Sequence, residues 1–170
     1  MQGRLRGNAR LSSACEIRAL RFDDVAEVLR LIQRAIAGGC HDHYSHLQRA
    51  AIFATYAHTL FMESLGPFES MAAEQQGRLV AFAQFDPTSN RLRALFVDAA
   101  VQQRGLGRVL LADIEARALR HGCARLHGAM SLNAISFYTR AGFHPSGGPE
   151  HLMAGGVLIP IVRMEKRLRA

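Results

Sequence analysis

Lysine is nearly missing from this chain of 170 residues: Lys166 is the only one, so a formal charge of +7 is carried almost wholly by arginine. The arginines run from Arg4 to Arg169 without a dense block, and no run of aromatics accompanies them, which argues against a nucleic-acid interface. Cysteine is scarce too. Cys15, Cys40 and Cys123 are odd in number, widely spaced and without a C-x-x-C pair, excluding a disulfide framework or a zinc ribbon and leaving reduced thiols as the expectation. No apolar run approaches the roughly 20 residues that cross a bilayer, and Met1 to Ala14 contains no apolar core of the secretory kind. A cytoplasmic location without a membrane partner is therefore expected, with residues 1–14 a flexible extension and 15–170 one domain.

What is present suffices for a buried core, since 49% of the residues are hydrophobic and 21% charged. Neither repeats nor a long linker divide the chain. A short strand is expected over Glu16 to Leu20. A helix follows, capped by Asp23, with Val25, Val28, Leu29, Ile32, Ala35 and Ile36 at helical spacing up to Gly38 and Gly39. Past a polar loop at Cys40 to Ser45, the spacing predicts a second helix from His46 to about Thr59. The periodicity then changes to that of three strands near Glu69–Gln75, Arg78–Phe85 and Leu92–Asp98, joined by short turns and so antiparallel. A helix from Gly105 to Leu119, a strand over Ala124–Ala129, a short helix over Ala134–Arg140 and a strand starting at Gly142–His144 complete the pattern. A last strand is expected from Gly156 to Leu168, with Pro160 marking an edge or bulge.

The most informative stretch is Leu92-Arg-Ala-Leu-Phe-Val97, then Asp98 to Val101, then Gln102-Gln-Arg-Gly105-Leu-Gly107-Arg-Val-Leu-Leu111. It reads as a strand, a glycine turn and a helix start. Gly105 and Gly107 let the backbone turn and present N–H groups where the helix dipole is positive, a place suited to phosphate. A P-loop would need Gly-Lys-Ser or Gly-Lys-Thr, whereas Gly107 is followed by Arg108 and Val109. A dinucleotide fingerprint needs glycine or alanine where Leu110 stands.

This loop resembles that of the GNAT superfamily, whose cofactor loop reads Gln or Arg, two residues, Gly, one residue, Gly or Ala; Gln102, Gly105 and Gly107 fit. A second segment, Ser131-Leu-Asn133-Ala-Ile-Ser-Phe137-Tyr138-Thr-Arg-Ala-Gly142-Phe143, is similar to the family's asparagine and tyrosine motif. Asn133 and Tyr138 are five positions apart where many members have seven. The resemblance, which covers residues 15 to 168, implies an α/β (α+β) fold with a mixed, mostly antiparallel central sheet flanked by helices. It implies acetyl-CoA as cosubstrate, with Gln103, Arg104, Gly105, Leu106, Gly107 and Arg108 at or beside its pyrophosphate. Phe96 and Val97 would offer main-chain bonds to the pantetheine arm. Asn133 would lie near the cofactor, and Tyr138 would both contact it and protonate the departing thiolate.

The activity so implied is direct acetyl transfer from acetyl-CoA to a primary amine of a small molecule or peptide; a non-catalytic acyl-CoA sensor is the alternative. The base stays open among Glu74, Asp86 and His127. Cys40, His41, Asp42, His43 and His46 have ligand chemistry without regular metal spacing, so no metal is expected, and His43 and Tyr44 are expected to line the acceptor pocket instead. The excess positive charge favours an acidic amine over a polyamine. Strand edges near the C-terminus leave a homodimer open.

Overall fold

The computed structural model describes residues 15–102 and 105–169. Residues 1–14, Gln103 and Arg104 lie outside that set. β1 (Glu16–Ala19) leads to α1 (Val25–Gly39), α2 (His46–Ala54) and α3 (His58–Leu65). The meander β2 (Glu69–Gln75), β3 (Arg78–Asp86) and β4 (Arg91–Val97) follows, then α4 (Leu106–Arg120), β5 (Arg125–Ser131) and α5 (Ile135–Arg140). The hairpin β6 (His144–Ala154) and β7 (Val157–Arg167) closes the chain. All seven strands form one sheet in the order β1-β2-β3-β4-β5-β7-β6, antiparallel at every pairing except β4 with β5.

Both faces of the sheet are covered, which gives two cores. Val28, Leu31, Ile32 and Ile36 of α1 pack with Phe61, Phe82 and Ala94 on one face, while Leu110, Ile114 and Ala118 of α4 pack with Phe85, Leu92 and Leu126 on the other. The helical spacing of the α1 set is what puts those side chains on a single buried stripe. At the outer edge, Arg18 ties β1 to its surroundings through Asp24 (2.6 Å) and Glu74 (2.9 Å). Among the described residues no helix is long and apolar enough to cross a membrane.

The meander follows the expected bounds within a residue, but the helix expected over His46 to Thr59 is two helices. Ser45 and Gln48 form a reciprocal capping box that starts α2. At its end the bonding tightens: the Tyr56 N–H donates to Phe53 O (2.9 Å), the Ala57 N–H to Ala54 O (3.1 Å), and Ala57 is extended before α3 begins. Neither glycine nor proline marks this corner, so periodicity ran straight through it. The C-terminal strands are also longer than expected, β5 reaching Ser131 and β6 spanning His144–Ala154. Pro160 occupies a local edge: β5 ends at the pair Ser131↔Ile161, so Pro160 has only β6 beside it.

Phe82 is wholly buried and edge-on to Phe61, with ring centroids 5.3 Å apart. Phe82→Ala is expected to lower unfolding free energy by about 3–5 kcal/mol, measured by urea denaturation.

Candidate active site

β4 and β5 are neighbours in the sheet, yet they share a single registered pair, Arg91↔His127. Beyond it the strands part, and over residues 92–97 β4 is paired only on its β3 side. Parallel strands normally continue their ladder, so this gap leaves main-chain groups along β4 facing a cleft rather than a partner. Two cavities open from the gap. One, about 590 Å³, lies on the α4 face and is lined by Val97, Gln102, Gly105, Gly107, Asn133 and Phe137 among others. The second, about 370 Å³, lies on the α1 face beneath the corner between α2 and α3. Leu95, Ala134 and Tyr138 line both.

The first cavity is built around the N-terminus of α4. Gly105 caps the helix at φ 82°, a left-handed conformation costly for other residues, with open space where a Cβ would stand. Gly107 has a different reason from the turn read in the sequence: it lies inside the helix, and a Cβ there would be 3.3 Å from the Phe137 ring and 3.6 Å from Val97. The first N–H groups of an α-helix have no intrahelical acceptor, so this end offers donors to an anion. Leu106 and Arg108 line the same cavity.

The loop entering α4 is held by residues the motif does not contain. Asp98 is buried, accepts the Ala100 N–H (3.1 Å) and pairs with Arg34 of α1 at 2.7 Å. Burial pushes its carboxyl up, but the Ala100 N–H and the Arg34 guanidinium outweigh that and hold it below its ordinary value of 3.8. Gln102 folds back to donate from Nε2 to the Val97 carbonyl (3.0 Å).

Tyr138 sits on α5 between Phe137 and Phe143, with ring centroids 5.0 and 5.3 Å away. Its hydroxyl has no hydrogen-bond partner among the described residues, and burial, with the nearby Tyr56 phenol adding to it, raises its pKa above the ordinary 10.0. At neutral pH it holds its proton. Asn133 is not the N-cap of α5, whose capping position is Ala134; its Oδ1 lies 3.4 Å from the Cys40 thiol, and the residue lines the α4-face cavity with Tyr138. Phe96 turns its ring the other way, edge-on to Tyr56 at 5.2 Å in the second cavity.

The residues considered as base are elsewhere. Glu74 is engaged by Arg18, Asp86 by Thr88 and Ser89 in the β3–β4 turn, and His127 Nε2 lies 2.8 Å from the Ser89 carbonyl. None of them lines either cavity. His41, His43 and His46 are exposed and also outside the lining, because the loop after α1 turns Cys40 and Tyr44 inward instead. Tyr44 is structural: its hydroxyl donates to Pro160 O and accepts the Leu132 N–H, both at 2.8 Å.

Residues 40–168 match the family model described as Acetyltransferase (GNAT) domain, and the chain belongs to that family. It is an acyltransferase that takes acetyl-CoA as cosubstrate. In fold it is similar to a GCN5-related N-acetyltransferase of Rhodopseudomonas palustris (TM-score 0.86, 24% identity, 92% of this chain and 97% of that one). It is also similar to the PaiA N-acetyltransferase of Thermoplasma acidophilum, solved with coenzyme A (TM-score 0.76, 17% identity, 91% and 99%). A third fold relative is a ribosomal-protein-alanine N-acetyltransferase of Brucella melitensis (TM-score 0.64, 18% identity, 90% and 99%). Comparison with curated protein sequences finds no match.

Gly107→Val has no room beside Phe137, so acetyl-CoA affinity is expected to fall about tenfold or more by calorimetric titration, with a stability loss of about 1–3 kcal/mol. For Asp98, the depressed folded pKa means its stabilisation is fully present above 3.8 and fades as pH falls through the lower folded value. The gap in denaturation midpoint between wild type and Asp98→Asn is therefore expected to be constant from pH 7 to about 5 and to close below about 3.8.

Proposed function

We propose that this protein is an N-acetyltransferase that moves the acetyl group of acetyl-CoA directly to the primary amine of a small molecule. The observation that carries the reading is the meeting of two cavities on opposite sheet faces at Tyr138, one with a helix N-terminus and the other without. Gly105, Leu106, Gly107 and Arg108 would hold the pyrophosphate through main-chain N–H groups, with Gln102 and Asn133 beside them and with Gln103 and Arg104 completing the loop. The main chain of Phe96 and Val97, on the unpaired edge of β4, would hold the pantetheine arm and polarise the thioester carbonyl.

Acetyl-CoA supplies the acyl group already activated, so no nucleophile is required of the protein. Tyr138 is the proton donor to the departing thiolate; its buried phenol is protonated at neutral pH and faces both cavities. Neither carboxylate nor imidazole lines the α1-face cavity among the described residues. The acceptor's ammonium therefore loses its proton to solvent rather than to a dedicated side chain. A cavity of about 370 Å³ suits a small acceptor or a single residue of a peptide, the latter being the kind of substrate the name of the Brucella enzyme describes. Three free thiols, including the exposed Cys15, suit a reducing cytoplasm.

Thermal unfolding tests the cosubstrate: acetyl-CoA at 100 times its dissociation constant adds about 2.7 kcal/mol of stability, whereas ATP and NAD at equal concentration should add far less. Tyr138→Phe then tests the chemistry. A fall in kcat of about 10²-fold or more is expected with little change in acetyl-CoA affinity. Unchanged turnover removes Tyr138 as acid, and binding without thiol release from any amine favours an acyl-CoA sensor.

A further inference from the structure

Most polar groups lining the α1-face cavity are already committed. Gln84 donates to Ser64 and Ser70, Thr55 to Ile52 O, and Tyr44 is held by Pro160 and Leu132. Left without a hydrogen bond among the described residues are the hydroxyls of Tyr56, Ser131 and Tyr138, and two guanidiniums, Arg91 and Arg93. Neither arginine forms an ion pair with a described carboxylate. Asp86, which accepts hydrogen bonds from Thr88 and Ser89, acts on both arginines through space without an ion pair, and the neighbouring Arg163 is taken by Glu150 at 2.6 Å.

An irregularity in the strand gathers the two cations. The register of β4 against β3 passes from Leu92↔Phe85 to Ala94↔Gln84, so Arg93 is an extra residue, a bulge. Leu92 and Leu95 pack on the α4 face, whereas Ala94 and Phe96 pack on the α1 face, and Arg91, opposite in sense to Leu92, joins the latter. Arg93 lies over the Phe68 ring at 4.1 Å, a cation–π contact that leaves its N–H fork unsatisfied. Burial lowers the proton affinity of Arg91, and Arg93 and Arg163 lower it further, yet a guanidinium stays charged. Two neighbouring cations in a concave wall, with Asp86 acting on them only through space and no carboxylate in direct contact, leave room for an anion to join them.

We propose that the acetyl acceptor is an amine bearing an oxyanion, a carboxylate or a phosphate, held by Arg91 and Arg93 while its amino group lies toward Tyr138. This rests on the acetyl-transfer reading above. A guanidinium pair matches either oxyanion through paired N–H donors, and it repels the polyamine alternative.

The test measures thiol release with β-alanine, glycine and phosphoethanolamine against β-alaninamide, glycinamide and ethanolamine, with spermidine added. At least one oxyanion-bearing amine is expected to exceed its neutral counterpart about tenfold or more in kcat/KM, and Arg91→Gln and Arg93→Gln should bring that ratio near one. Arg91→Lys, which keeps charge but loses the fork, should fall between. The carboxylate and phosphate arms decide which oxyanion is taken. A wild-type ratio near one throughout, a preference for spermidine, or a ratio that both glutamine variants leave intact overturns the assignment. Propionate and methylphosphonate titrated calorimetrically into the wild type and Arg91→Gln read the same arginines without turnover. Binding lost in the variant supports the oxyanion site, and no binding to wild type overturns it. Failure of acetyl-CoA to stabilise the protein sinks the acetyl-transfer reading separately.

Discussion

The molecule depends on one failure of strand pairing. β4 and β5 touch at Arg91 and His127 and then separate, which a sheet tolerates only where other groups meet the hydrogen bonds given up. Side chains do so, one local and one from a distant part of the chain. Gln102 reaches the Val97 carbonyl, and Tyr44, from the loop after α1, receives the Leu132 N–H. Remaining main-chain groups along β4 are left to the cleft, where an extended ligand can satisfy them. At the same parting, a cavity with a helix N-terminus on one face and an arginine-lined cavity on the other share Leu95, Ala134 and Tyr138.

This shared lining is chemically sparse. Tyr138 is wedged among aromatic rings, its phenol protonated and free of competing hydrogen bonds among the described residues. Tyr56, pushed up to about 12 by burial, is also neutral in the cavity at physiological pH. The formal charges along that wall are the two cations of β4. In the proposed reaction, a site so poor in proton acceptors would rely on an acyl donor that arrives activated, with the protein supplying position and one proton.

Much of this arrangement was legible in the residues. Gly105 and Gly107 flanked a strand-to-helix junction, Asn133 and Tyr138 followed at short range, and period-two alternation marked the meander. What was not legible depends on contacts distant in sequence or on local departures from period. Arg34 and Asp98 are 64 positions apart, and nothing near either announces that they fasten the loop before α4. The corner at Ala57, which brings Tyr56 onto Phe96, has no breaking residue, so the helix seemed continuous. The candidate bases failed for the opposite reason: Glu74, Asp86 and His127 lie on sheet strands, but each is engaged in ordinary turn or edge contacts. Alternation also misplaces Phe96 relative to Arg91, because it assumes an unbroken period.

The bulge at Arg93 has a consequence for how this strand can change. Side chains alternate with a period of two, and a bulge takes up one extra residue while the pairs beyond it stay in register with the partner strand. Arg93 is counted in the chain but not in the pairing, so Ala94 to Val97 hold the faces that an unbroken ladder continuing from Leu92 would give them. Substitution at 93 changes the charge and the contact with Phe68, whereas deletion would leave Leu92↔Phe85 and Ala94↔Gln84 as consecutive pairs, a regular strand with Phe96 and Val97 still in their present cores. Drift in sequence, by substitution or by loss of this one residue, can therefore retune what the wall attracts while the packing on both sides of the strand stays as it is.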